Sequence, residues 1–176
     1  MSDPRPTFKR DSRGATAVEY AMIAPVFLTM VIGLVEFSLY VFNRNFVKHV
    51  LYETARNIAT GEIQSADSPP AAFKQAYCGH AGAVLSCERL LFDVRAYDNL
   101  EDVKFTPVEH SPGGMPTNFK FEPGKAEQIS VMRVALPYKF VTPFMQDIFL
   151  GEGNHAIVVG YSVAKNEPFG CLKSCG

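Results

Sequence analysis

The sequence has almost no net charge, and it lacks the motifs that identify most enzymes. Its 176 residues carry 17 Lys and Arg against 18 Asp and Glu, a formal net charge of −1. A chain so close to neutrality has no general attraction for nucleic acid or for acidic membranes. We find no Ser/His/Asp order with a nucleophile elbow, no paired carboxylates in a recognisable setting and no phosphate-binding glycine loop. These absences argue against an enzyme, a nucleic-acid partner and a bound cofactor.

The four cysteines form two close pairs in the sequence, but their spacing fits no standard zinc site. Cys78 precedes Cys87, and Cys171 precedes Cys175 near the C-terminus, while the histidines are scattered. We therefore expect no metal. Four cysteines allow three pairings, and sequence alone does not decide among them. Their closeness favours disulfides within each pair, and the even count suits an oxidising compartment.

Charged residues are almost absent between Tyr20 and Phe42. This stretch of 23 residues contains a single charge, Glu36. As a helix it would be about 34 Å long, enough to cross a hydrocarbon core of about 30 Å. A buried helix of a soluble protein rarely stays apolar on all faces for this length. We predict a transmembrane segment over about residues 20–42, in which Glu36 either pairs with a partner helix or reaches water near the outer interface.

Residues 1–14 form a basic leader in front of this apolar stretch. Four basic residues stand there against two acidic ones: Arg5, Lys9, Arg10 and Arg13 against Asp3 and Asp11. An excess of Lys and Arg beside a membrane span is typical of the cytoplasmic side. The N-terminus is therefore predicted to be cytoplasmic, and everything beyond Asn43 periplasmic or extracellular.

The helical pattern continues beyond the apolar stretch. Apolar residues recur at helical spacing as far as Ala59, and Gly61 follows as a cap. One helix is therefore predicted from about Ala15 to Thr60, with a membrane half and an amphipathic half. Its second half would pack against the rest of the chain, residues 61–176.

Residues 61–176 are predicted to form a small α+β domain. A short helix is expected at 71–77 and another at 142–150, and a Pro- and Gly-rich loop surrounds 111–116. Three segments have strand character: Leu90 to Tyr97, Ile129 to Tyr138 and Ala156 to Val163. The predicted fold is a long N-terminal helix packed on a small antiparallel sheet.

Gly14 and Glu19 mark the junction between the basic leader and the apolar stretch. A lone carboxylate at the edge of the hydrocarbon is costly unless it is paired. Glu19 is expected in the first helical turn, where it would complement the helix dipole. If the chain were cut after Gly14, the new ammonium group of Ala15 would be a natural partner, because residues four apart share a helix face. The same ion pair would alternatively form between neighbouring subunits.

The spacing from Gly14 to Glu19-Tyr20, ahead of a long apolar helix, resembles the prepilin-peptidase site of type IV pilins of the Flp/Tad branch. The run from Arg13 to Phe42 looks like the TadE-type pseudopilins, the minor pilins of the tight-adherence pilus. Further features similar to that family are the Ala-Pro after the Glu-Tyr, Glu36-Phe37, Ala55-Arg56, Pro137-Tyr138 and Asn166 to Phe169.

This resemblance implies cleavage between Gly14 and Ala15 by an aspartic prepilin peptidase of the bacterial inner membrane. It also implies that Glu19 and Tyr20 help subunits to dock. The implied partners are that peptidase, other Flp/Tad pilins and pseudopilins, the inner-membrane assembly platform and membrane lipid.

The implied function is Flp/Tad pilus assembly and surface adhesion by a single-pass inner-membrane protein that enters the extracellular pilus after assembly. Mature Flp pilins are very short, so the length of this chain favours a minor pseudopilin over the main filament subunit. The alternative is an uncleaved, signal-anchored periplasmic protein, such as a receptor-like or enzyme module.

Overall fold

The computed structural model describes residues 14–82, 84–104, 117–142, 145–146 and 156–170. Two helices and three strands form its framework: α1 (Ala15–Ala59), α2 (Pro69–Ala81), β1 (Leu91–Tyr97), β2 (Ile129–Tyr138) and β3 (Ala156–Lys165). Two short 3₁₀ helices, Cys87–Arg89 and Leu100–Asp102, flank β1. Outside the described residues lie the leader 1–13, the loop at 111–116, most of the helix expected at 142–150, and the pair Cys171 and Cys175.

The predicted α+β fold is confirmed. The sheet has the order β1-β2-β3 with antiparallel neighbours, and α1 packs on it with its second half. The predicted helix from about Ala15 to Thr60 matches α1 to within a residue. Because α2 begins at Pro69, it is longer than the helix expected at 71–77, and β3 continues two residues past Val163.

The environment of α1 changes along its length. Upstream of Glu36 the large apolar side chains project from the helix, and Val26 and Met30 are 72% and 65% exposed. Farther along, Val47 and Ile58 are fully buried, as part of a stripe that repeats every three or four residues. Of the described residues, α1 is the one helix long and apolar enough to cross a membrane.

The core lies between the second half of α1, α2 and one face of the sheet. Phe73 and Tyr77 of α2 are fully buried and contact the ring of Phe92 on β1 edge-to-face, with ring centroids 5.4 and 5.2 Å away. The hydroxyl of Tyr77 donates a hydrogen bond to the carbonyl oxygen of Val47 at 3.2 Å. Burial raises the pKa of Tyr77, so the hydroxyl stays a neutral donor at physiological pH.

The segment Asn166–Phe169, which follows β3, connects the sheet to the C-terminal end of α1. The side-chain amide of Asn166 donates to the carbonyl oxygen of Lys125 at 2.8 Å, and the Ser130 hydroxyl donates to the Asn166 side-chain oxygen at 2.9 Å. The next residue, Glu167, donates its backbone N–H to the carbonyl oxygen of Ala59 at 2.8 Å. This bond occupies one of the carbonyls that a helix leaves open at its C-terminal end.

Gly61 lies where this segment meets α1. It follows the C-cap residue Thr60 and has φ of +81°, in the left-handed region. A Cβ at this position would lie 2.5 Å from Cγ of the Phe169 ring. Both the backbone conformation and the contact with Phe169 therefore require glycine here.

We expect Gly61→Ala to destabilise the domain by about 2 to 4 kcal/mol, since it combines left-handed strain with overpacking against Phe169. Gly79→Ala is the matched control. Gly79 lies in α2, and a Cβ there would meet no atom within 4 Å, so stability should stay the same or rise slightly. The stability of both variants is measured by chemical denaturation of the full chain in detergent, with unfolding monitored by the near-ultraviolet circular dichroism of tyrosine. Equal midpoints for the two variants would contradict this account of Gly61.

Candidate functional site: the anchor helix and its contacts

The predicted processing residues lie at the exposed start of α1. Gly14 is the N-cap residue, and a Cβ there would meet nothing within 4 Å. Ala15, Glu19 and Tyr20 are all exposed. The expectation that Glu19 lies in the first helical turn is wrong, because the helix begins at Ala15 and its first turn contains no acidic residue. Glu19 is the fifth residue of the helix, and it shares a face with Ala15, four positions away.

Glu36 binds the chain's own domain. Its side chain is buried, with 5% of its surface exposed. One carboxylate oxygen accepts the backbone N–H of Val141 and, at 3.1 Å, that of Thr142, and the other accepts the Thr142 hydroxyl. Neither predicted alternative, a partner helix or water, describes this arrangement. Hydrogen bonds from several donors to one carboxylate are strong, because the acceptor is charged.

Three aromatic rings surround this contact on the side of the domain. The ring of Tyr40 on α1 lies 5.5 Å from that of Tyr138 and 5.6 Å from that of Phe140, and the latter two are 5.2 Å apart. Burial, together with the negative charge of Glu36, raises the pKa of Tyr138. Two features quoted from the sequence, Glu36-Phe37 and Pro137-Tyr138, therefore meet at one place despite the hundred residues between them.

The connection after β2 also contacts α1 about one helical turn nearer its start than Glu36. Met145 is buried, and its Sδ lies 3.9 Å from the position that a Cβ on Gly33 would occupy. An apolar hollow extends from there towards the start of the helix; it is lined by Pro25, Val26, Thr29, Met30, Gly33, Leu34, Phe37 and Met145. The domain therefore contacts the apolar half of α1 at Gly33 and Glu36.

Cys78 and Cys87 form a disulfide, with their Cα atoms 6.0 Å apart. The bond ties the end of α2 to the 3₁₀ helix Cys87–Arg89, directly before β1. Closing a short loop in this way reduces the freedom of the unfolded chain and thereby stabilises the domain.

The sheet face away from α1 contains a buried ion pair that sequence reasoning missed. Asp93 and Arg133 lie opposite each other on β1 and β2, with 2.8 Å between their charged atoms. Asp93 also accepts the backbone N–H of Lys120 at 2.7 Å, and the guanidinium of Arg133 lies 4.7 Å from the ring centre of Phe119. The available signal was the presence of charges within apolar strands, Asp93 and Arg95 in β1 and Arg133 in β2. Asp93 also forms an ion pair with Arg95 at 3.2 Å. The contacts of Asp93 and Arg133 with Lys120 and Phe119 hold this segment on the sheet.

No group of three or more His, Cys, Asp or Glu side chains within the described ranges is arranged to hold a metal ion. The helix α1 is exposed and apolar at its start and is hydrogen-bonded to the domain at Glu36.

Residues 14–56 match a family model described as TadE-like protein. The match covers α1 from its N-cap to its last turn, and it agrees with the resemblance noted in the sequence. No curated protein and no solved structure matches the chain. The family match suggests a part in the Tad pilus system, and together with the apolar helix it fits a membrane-anchored protein.

We expect Glu36→Gln to loosen the contact between α1 and the β2–β3 connection, because an amide is a weaker acceptor than a carboxylate. The backbone amides of Val141 and Thr142 should exchange with solvent roughly tenfold to a hundredfold faster, as for hydrogen bonds to a charged group. Hydrogen exchange by NMR on the full chain in nanodiscs measures both amides. Glu53→Gln changes an exposed glutamate of the same helix and should leave both rates unaltered. Unchanged rates in Glu36→Gln would show that the contact does not depend on charge.

Proposed function

We propose that this protein is a minor pilin-like subunit of the Flp/Tad pilus, anchored in the bacterial inner membrane by α1 and cleaved after Gly14 before assembly. The observation behind the proposal is the TadE-like match over residues 14–56. It coincides with a helix whose first half keeps its apolar side chains away from its own domain. Such a surface is available to lipid before assembly and to neighbouring subunits afterwards.

The start of α1 has the properties that a processing site requires. Gly14 is exposed, and no side chain of the described residues lies near it. This exposure supports access of a peptidase to the Gly14–Ala15 bond. After cleavage the ammonium group of Ala15 would stand one helical turn before Glu19, on the same face, within reach of an ion pair in the same or a neighbouring subunit.

The direction of the chain supports a cytoplasmic leader and a domain on the other side of the membrane. The basic residues precede α1, and the domain with its Cys78–Cys87 disulfide follows it. Disulfides persist in oxidising compartments such as the periplasm. In this arrangement the domain becomes the part that contacts other pilins, the assembly platform or an adhesion target.

Processing is tested by the mass of the protein purified from native membranes. The expected N-terminal residue is Ala15, and Gly14→Phe should remain at precursor mass because a bulky side chain blocks the cleavage site. Val18→Phe is the control, since it adds a ring at an exposed position in the same turn and should be cleaved normally. An intact leader in the unaltered protein would instead support the uncleaved, signal-anchored alternative.

The role of Glu19 is tested separately from cleavage. We expect Glu19→Ala to be processed normally but to fail in pilus assembly, since a buried ammonium group without its carboxylate costs about 3 to 5 kcal/mol. Glu53→Ala, an exposed glutamate on the domain half of α1, should assemble as the unaltered protein does. Electron microscopy of cells and the mass of the purified subunit give the two readouts. Normal pilus numbers with Glu19→Ala would refute the docking role.

A further inference from the structure

Val141 combines a fixed backbone with an exposed apolar side chain. Its side chain is 89% exposed, the highest value among the large apolar residues that the structure describes. Its backbone N–H nevertheless donates to Glu36, and the preceding residue, Phe140, is buried. The hydrogen bonds from Val141 and Thr142 to Glu36, which we call the Glu36 clamp, therefore hold this exposed side chain beside α1.

The contacts with α1 define how far along the helix this connection lies. Val141 and Thr142 bind Glu36, and Met145 lies against Gly33, about one turn nearer the start of the helix. Both contacts fall within the apolar stretch predicted to span the membrane. The described part of the β2–β3 connection therefore contacts α1 in a region that the sequence had assigned to the lipid.

The cost of a charge inside the hydrocarbon places its outer edge near Glu36. If the hydrocarbon reached Phe42, the carboxylate of Glu36 would lie about 9 Å inside it, where a charge is costly. With the boundary at Glu36, its carboxylate lies in the polar interface. The helix between the two carboxylates, from Tyr20 to Val35, is then about 24 Å long, and a hydrocarbon layer of about 30 Å adapts to a shorter span by thinning locally at a modest cost.

The aromatic rings next to Glu36 fit the same boundary. Tyr40, Tyr138 and Phe140 cluster just beyond it, on the side of the domain. Tyrosine is enriched at membrane interfaces because one end of its ring is apolar and the other polar.

The exposed surface below this cluster suits lipid better than a single protein partner. Val26, Phe27 and Leu28 point in directions about 100° apart around the helix, and each is more than half exposed. A docking helix would need one apolar stripe, whereas lipid contacts every side. Val141 extends this all-round apolar surface onto the domain.

We infer that the β2–β3 connection at Val141 is a lipid-contacting surface, and that the outer end of the membrane span lies at Glu36 instead of Phe42. The inference rests on the membrane anchoring proposed above. The domain then lies directly on the bilayer, with Val141 in the lipid–water interface. The carboxylate of Glu36 determines how deeply α1 inserts into the bilayer.

Tryptophan fluorescence tests this depth, because the sequence contains no Trp and each single-Trp variant gives one signal. The full chain is reconstituted in phosphatidylcholine nanodiscs at one copy per disc. Some discs contain lipids brominated near the headgroup end of the acyl chain, and others contain lipids brominated near its middle. Val141→Trp is compared with Leu28→Trp inside the span. The water control is Tyr52→Trp, sixteen residues beyond Glu36 on the exposed side of α1.

We expect Val141→Trp to lose most of its emission to the shallow bromines, and Leu28→Trp to lose most of its emission to the deep ones. Tyr52→Trp should respond only to a quencher in water. If Val141→Trp behaves like Tyr52→Trp while Leu28→Trp is quenched, the lipid contact is refuted and the anchoring survives. Blue-shifted Val141→Trp emission without bromine quenching means that protein covers the site, and refutes the inference equally. An unquenched Leu28→Trp refutes both the inference and the anchoring.

A second measurement needs no substitution and covers the case of a misfolded variant. In nanodiscs, the methyl protons of Val141 in the unaltered protein should show nuclear Overhauser contacts with lipid acyl protons. The exposed methyl groups of Leu100, beyond the opposite end of β1, should show contacts with water alone. If the methyl protons of Val141 also show contacts with water alone, the inference is overturned.

Discussion

The packing of the second half of α1 into the domain is the interaction on which the rest of the structure depends. Val47, Val50, Leu51 and Ile58 are fully buried, and they form the surface against which both α2 and the sheet pack. Since the apolar first half belongs to the same continuous helix, the anchor and the core of the domain are one element. Moving or tilting the anchor therefore moves the domain with it, without a flexible linker between them.

Two polar clamps hold the domain at opposite ends of this interface. At one end Glu36 accepts hydrogen bonds from the β2–β3 connection, and at the other the Glu167 N–H bonds to the last helical residue, Ala59. Apolar packing determines how tightly the domain associates with α1, but it determines the position of the domain along the helix only weakly. Directional hydrogen bonds at both ends determine that position, because a shift by one turn would break them and leave the buried Glu36 carboxylate without its donors.

This arrangement has consequences for the pilin-like subunit proposed above, which would move from a membrane into a filament. The exposed apolar half of α1 would then change from contact with lipid to contact with other subunits. The Glu36 clamp, in contrast, is satisfied within the chain, so it is available in both states and holds the domain at one height on its helix. The exposed carboxylate of Glu19 is the group to which our proposal assigns the intermolecular contact.

The sequence by itself determined the elements, since their signals are local. The apolar stretch with one charge predicted the exposed half of α1, the amphipathic repeat predicted its buried face, and local strand signals located the three strands, with both bounds of β2 correct. The pairing of Cys78 with Cys87 was favoured by closeness alone, and the structure contains it. Only the tertiary structure decided what the lone polar groups do. Glu36 meets Val141, Asp93 meets Arg133 and Asn166 meets Lys125, and each partner stands dozens of residues away. Such contacts depend on strand order and on how the sheet sits against α1, which no local pattern of residues encodes.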